Sequence, residues 1–235
     1  MQPQSGPVHH QLAELDPLAE GRFDLAAAQA VLTRLTAKLS EPDGRDRLIL
    51  RPVAYFHDNG FLKVELGRST CSKVRLRLHL WNVSDVAAPP QRIHNHSFDF
   101  ISTVLRGSIR VAEFAVHADA EPDLHAFGYY RTDRLGRPNY RLRYIGPRQA
   151  SLLRTRTLRE GESYGMTGCD FHTADPIDPQ PTSTLLISRE HDIERDAHIL
   201  FDDPAAGETA SNAATLPAET VSRILRAHLK PRQNT

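Results

Sequence analysis

The segment "SKVRLRLHLWNV" sets Val74, Leu76, Leu78 and Leu80 on alternate positions, with Arg75, Arg77, His79 and Trp81 between them. Side chains along a strand point alternately to its two faces, so a period of two describes a half-buried strand and fits no helix. The same pattern of short strands and turns continues from about residue 48 to about 190. "LILRPVAYFHDNGFLKVEL" is two β-prone runs around Asp58-Asn59-Gly60, whose Asn-Gly pair suits the positive φ angles of a tight hairpin. "FDFISTVLRGSIRVAEF" turns at Gly107, and "HAFGYYRTD", "NYRLRYIG", "QASLLRTRTLREGESYGM" and "TSTLLISRE" supply further strands. Short strands at this spacing predict an all-β core, an antiparallel sandwich or barrel.

Helical spacing is confined to the two ends. "DLAAAQAVLTRLTAKLS" repeats Leu25, Ala28, Leu32, Leu35 and Leu39, with Asp24 placed to cap the first turn, and "EPDGRD" then breaks the chain. Near the C-terminus, Pro217 opens "AETVSRILRAHLK", whose Val221, Ile224, Leu225 and Leu229 form one stripe. The expected organisation is a flexible arm over 1–22, a helical segment over 23–47, the β-domain over 48–200, and a linker with a terminal helix over 201–235. At 235 residues, one domain has chain enough for a substantial core. A polar insertion at 118–147 is expected to govern access to it.

Charge and cysteine content narrow the function. Lys+Arg and Asp+Glu both total 29, which argues against a nucleic-acid partner. The opening residues lack the basic and apolar regions of a signal peptide, and no apolar run is long enough for a membrane span, so a cytoplasmic protein is expected. Two cysteines, Cys71 and Cys169, make neither a disulfide framework nor a Cys-rich zinc module.

One stretch carries chemistry. In "RIHNHSFDFISTVLRGS", His94 and His96 are two residues apart, so on a strand both imidazoles aim at one point. A third ligand must come from elsewhere, and "GESYGMTGCDFHTADP" offers His172. The plainer alternative is a surface histidine pair, with Arg75 and Arg77 on the wet face of a one-sided sheet.

The layout resembles the cupin superfamily, whose first motif reads Gly-x5-His-x-His-x3,4-Glu-x6-Gly and whose second is Gly-x5-Pro-x-Gly-x2-His-x3-Asn. His94, His96 and Gly107 match the first, and Gly161, Gly168 and His172 match the second loosely, across roughly residues 50 to 190. The resemblance implies a single antiparallel jelly-roll barrel with flanking helices, and it implies His94, His96 and His172 as ligands of one divalent metal. Phe100 stands where most metal cupins carry a glutamate. The implied centre is therefore three neutral imidazoles, as in the cysteine-dioxygenase-like cupins.

Such a centre keeps the full charge of its ion and favours an anionic chelating ligand. Iron(II) is favoured, with zinc, nickel, copper or manganese open. The expected function is a dioxygenase-type oxidoreductase acting with O2 on a small anionic or thiol-bearing metabolite. The pocket candidates are Arg68, Arg75, Arg77, His79, Trp81, Phe100 and Tyr164. A non-oxidative isomerase, lyase or cyclase and a ligand-binding regulatory cupin remain alternatives, and exposed sheet edges make a homodimer possible.

Overall fold

A computed structural model of the chain describes residues 10–20, 23–48, 53–57, 59–83, 91–118, 122–131, 139–177, 179–190, 197–205, 211–212 and 215–229. The proline pair 89–90 and residues 119–121 and 132–138 of the insertion, with the access role expected of it, lie outside the described residues.

Twelve strands follow in chain order: β1 (Val53–Phe56), β2 (Leu62–Arg68), β3 (Val74–Trp81), β4 (Phe98–Arg106), β5 (Ser108–His117), β6 (Leu124–Arg131), β7 (Asn139–Arg159), β8 (Ser163–Met166), β9 (Phe171–Pro176), β10 (Thr182–Glu190), β11 (His198–Phe201) and β12 (Ser211–Asn212). One antiparallel sheet runs β1-β2-β3-β10-β4-β8, and the second runs β11-β6-β7-β5-β9 with β12 beside β7. The core is all-β, as its period of two requires. Among the described residues, the two sheets are not joined edge to edge into a closed barrel. Among the described residues, no helix is long and apolar enough to cross a membrane.

Both faces of the first sheet are covered. Val74, Leu76, Leu78 and Leu80 of β3 join Ile101, Leu185 and Ile187 in a core shared with α1 (Leu25–Ser40), α3 (Ala218–His228) and a 3-10 turn at Ala13–Leu18. On the other face, Phe100 and Val104 of β4 and Leu186 of β10 pack on Ile109, Val111, Leu158 and Ala174 of the second sheet. Arg77 pairs with Leu186 across the β3–β10 ladder and so shares that inner face. The alternation in β3 thus separates a helix-covered face from a face between the sheets. Neither is wet: Arg77 is only 4% exposed and Trp81 2%.

Gly107 has φ +78°, and a Cβ there would come within 2.6 Å of the Thr182 hydroxyl, so the tight β4–β5 turn admits only glycine comfortably. At α1, Asp24 Oδ1 accepts the Ala26 and Ala27 amide hydrogens at 2.8 and 3.2 Å, as a helix cap should. Asp24→Ala is expected to cost about 1 kcal/mol of stability, measured by urea unfolding. An unchanged midpoint would mean that α1 does not depend on this cap.

Three expectations need correction. "EPDGRD" does end α1, at Ser40 with Glu41 extended, but the chain turns helical again at once over Pro42–Leu48, α2. Its proline occupies the first position, where a missing N–H costs nothing. "NYRLRYIG" and "QASLLRTRTLR" are one 21-residue strand, β7, bent by a register shift opposite Glu113/Phe114. Part of the expected loose arm is packed: Leu12, Leu15 and Leu18 are buried, and the Leu12 N–H donates to the Arg68 carbonyl at 2.8 Å.

Candidate metal centre

The two histidines of the His-x-His pair precede β4 rather than lying within it. His94 sits in an isolated antiparallel bridge with His172 of β9, each backbone N–H donating to the other's carbonyl, at 3.0 and 2.9 Å. That reciprocal pair brings together two rings from distant parts of the chain, tilted 44° to each other. His96 is held from below, its N–H donating to the Gly168 carbonyl at 3.2 Å. Gly168 must lack a side chain, because a Cβ would stand 2.7 Å from the His96 carbonyl oxygen. The Gly168 N–H in turn donates to Asp99 Oδ1 at 2.9 Å, which directs Asp99 away from the histidines.

The three rings converge. Their centroids are 4.5 Å (His94–His172), 4.9 Å (His94–His96) and 5.1 Å (His96–His172) apart. One nitrogen from each lies within 4.8 Å of the others. His94 Nδ1 lies 2.9 Å from the Arg92 carbonyl and His172 Nδ1 3.4 Å from the Asp170 carbonyl. A carbonyl only accepts, so both contacts put the proton on Nδ1 and leave Nε2 as a free lone pair. Metal-binding histidines are commonly oriented in this way.

Burial pulls the His94 imidazolium down to about 4, against a smaller opposing effect from the Arg92 carbonyl. His96 and His172 are held well below the ordinary histidine range, by burial first and by neighbouring histidines after it. All three are therefore neutral near pH 7, the form a metal ion requires. The donor set fits a divalent cation, and among the described residues it contains no carboxylate.

Phe100 closes one side, its ring 5.2 Å from His96 and 5.7 Å from His172, with Tyr164 stacked edge-on behind it at 5.6 Å. Burial pushes the Tyr164 phenol up to about 12, so it stays protonated.

The inner face of β2 and β3 divides the remaining pocket candidates. Arg68 is taken up by both oxygens of Glu65, and Arg75 pairs with Glu190 while lying 3.9 Å from Glu65. Arg77 meets no carboxylate among the described residues; it donates to the Ser188 hydroxyl at 3.0 Å and lies over the Phe98 ring. His79 stands outside the trio, 4.5 Å from Phe61 and 6.0 Å edge-on from Trp81. Cys71 and Cys169 are both exposed.

Three neighbours were not foreseen from sequence. Asn59, 1% exposed in its hairpin turn, brings its carboxamide nitrogen 3.2 Å from His94 Nδ1, a packing contact between two donors when the ring proton points to Arg92. His57 stacks on Phe61 at 4.8 Å. Lys63 stands opposite His79 in the β2–β3 ladder, on the inner face. The signal for Lys63 was present: "FLKVELGR" alternates like β3, with charges on the face that the apolar residues avoid.

No protein-family profile matches the sequence, and no curated protein does. Among solved structures the chain is similar to oxalate oxidase in complex with the substrate analogue glycolate (13% identity, 56% of this chain and 52% of that one, TM-score 0.33). It is also similar to hydroxypropylphosphonic acid epoxidase from S. wedmorenis (12%, 59% and 54%, TM-score 0.35) and to hydroquinone 1,2-dioxygenase from Sphingomonas sp. TTNP3 with 4-hydroxybenzoate bound (14%, 54% and 64%, TM-score 0.28). The chain spans about half the length of the first two. Likeness at this level carries nothing about substrate or reaction.

Proposed function

We propose that this chain is a mononuclear metal-dependent cupin oxygenase in which His94, His96 and His172 hold one divalent ion, iron(II) by preference, and a small anionic metabolite binds beside it. The observation that carries the proposal is the convergence of three neutral imidazoles, His94 and His172 buried and His96 half-buried, with no carboxylate among them. Bound iron would supply Lewis acidity toward an anionic ligand and redox chemistry with O2.

The protein's own contribution is positional. The Arg92 and Asp170 carbonyls hold two ligand rings in one tautomer, and Phe100 with Tyr164 keeps one side of the site dry. With three uncharged ligands the ion retains its double charge, so an anion is drawn to it more strongly than to a centre that includes glutamate.

Protein purified without added metal is expected to contain about one iron per chain and to consume O2 with a small acid or thiol from a substrate panel. Stoichiometric zinc or nickel with no O2 uptake would replace this reading by a non-oxidative Lewis-acid enzyme. Absence of metal, together with ligand binding that survives His94→Ala, would replace it by a binding cupin.

A further inference from the structure

The inner face of β2 and β3 carries more positive charge than it neutralises. Lys63, Arg68, Arg75 and Arg77 stand there against Glu65 and Glu190, and both carboxylates are committed to Arg68 and Arg75. Lys63 makes no ion pair among the described residues, and its nearest described partner is the Tyr55 ring, 5.8 Å from Nζ to centroid. Arg77 is buried on a hydroxyl and an aromatic face, and its Nε has no acceptor. Two more nitrogens on the same face of β3, His79 Nε2 and Trp81 Nε1, are also buried without partners among the described residues. Buried polar groups in native proteins are almost always satisfied, so a row of them on one strand face marks a place for a polar partner.

This cluster borders the histidine trio. The charge of Lys63 is felt at His57, His79, His94 and His96. Phe98 links the two regions, with Arg77 4.8 Å over its ring and His96 stacked on it at 4.7 Å. Arg77 and His96 thus lie against the same ring, which sets the cation about one aromatic side chain from the trio. Burial, with the charges of Arg77 and Arg75 added, holds the Lys63 ammonium well below its usual range, as expected of a cation waiting for a counter-ion.

We propose that Lys63 and Arg77 form a second anion-binding site, and that the ligand of this protein is a small molecule with two anionic groups and no ammonium group. One group lies at the trio and the other at Lys63 and Arg77; the inference rests on the trio being a metal centre. An ammonium substituent would meet the metal charge and two cations, while Glu65 and Glu190 are already engaged by arginines. Thiol-bearing amino acids are thereby disfavoured and dicarboxylates, or carboxylates with a second oxyanion, favoured.

Calorimetric titration of the metal-loaded protein with butyrate, L-aspartate and the dicarboxylates malonate, succinate and glutarate tests this. The best dicarboxylate is expected to bind at least about 10-fold tighter than butyrate, and succinate at least about 10-fold tighter than aspartate. Lys63→Met and Arg77→Met each bring the best dicarboxylate close to the butyrate level, and Arg77→Lys recovers part of the difference, with folding checked by circular dichroism. The proposal is overturned if no dicarboxylate exceeds butyrate, if aspartate matches succinate, or if the preference survives both methionine variants. Elemental analysis of the same samples reports separately on the metal centre, whose absence would sink that reading while leaving the Lys63 and Arg77 dependence measurable.

Discussion

His172→Ala and His94→Ala are each expected to take bound metal from about one ion per chain to near zero after dialysis against a chelator that leaves the wild type loaded. Loss of a residue that merely supports a ligand lowers metal affinity about 10- to 100-fold, so loss of a ligand itself should exceed that range. The two substitutions probe different parts of the chain, since His94 precedes β4 and His172 lies in β9. Equal loss from both would show that the backbone bridge between them assembles one site. Thermal unfolding gives a second readout, because a metal that binds only the folded chain raises its melting temperature, and the variants should lose that increment. Cys169→Ser, at an exposed position, should keep the full metal complement. A His172→Ala protein that retains stoichiometric metal would remove β9 from the centre.

Much of this was legible in the sequence, because local patterns determined it. Asp24 caps α1, Gly107 turns β4 into β5, and the alternation of β3 made it a strand. Which face of β3 would be wet was not legible. A strand reports only that its two faces differ, and here the apolar face is covered by helices while the face with Arg77 and Trp81 lies between the sheets. That inversion turned Arg77 from a plausible surface residue into a buried cation. Asn59 is a similar case: the Asn-Gly turn was read for its φ angles, but its side chain reaches His94, 35 residues away, and only tertiary closure reveals that. The strand β7 fused two expected strands because Gly146 and Pro147, which look like turn residues, are carried through at a register shift against Ala126/Phe127. The His-x-His spacing implied two rings aimed together from a strand; the rings do lie 4.9 Å apart, but ahead of β4, with His94 in a bridge to His172.

Phe100→Glu tests the charge of the centre most directly. The ring of Phe100 is 1% exposed and lies 5.2 and 5.7 Å from two of the three histidines, so a carboxylate there would stand beside any metal they hold. Without metal, the new carboxyl would sit among neutral imidazoles and aromatic rings, where burial favours its protonated form and destabilises the fold. With metal bound, it ionises and becomes an anionic neighbour, so metal should be retained more firmly than in the wild type. The effect on a second anion has the opposite sign. Two unit charges about 5.5 Å apart at an effective dielectric of about 20 repel by roughly 3 kcal/mol, so the affinity of the metal-loaded protein for a dicarboxylate should fall on the order of 100-fold. Phe100→Gln supplies a similar shape without the charge and should give only a small part of that loss. If the two variants weaken the dicarboxylate equally, packing at position 100 matters and charge does not, and three neutral ligands are then not what selects an anion.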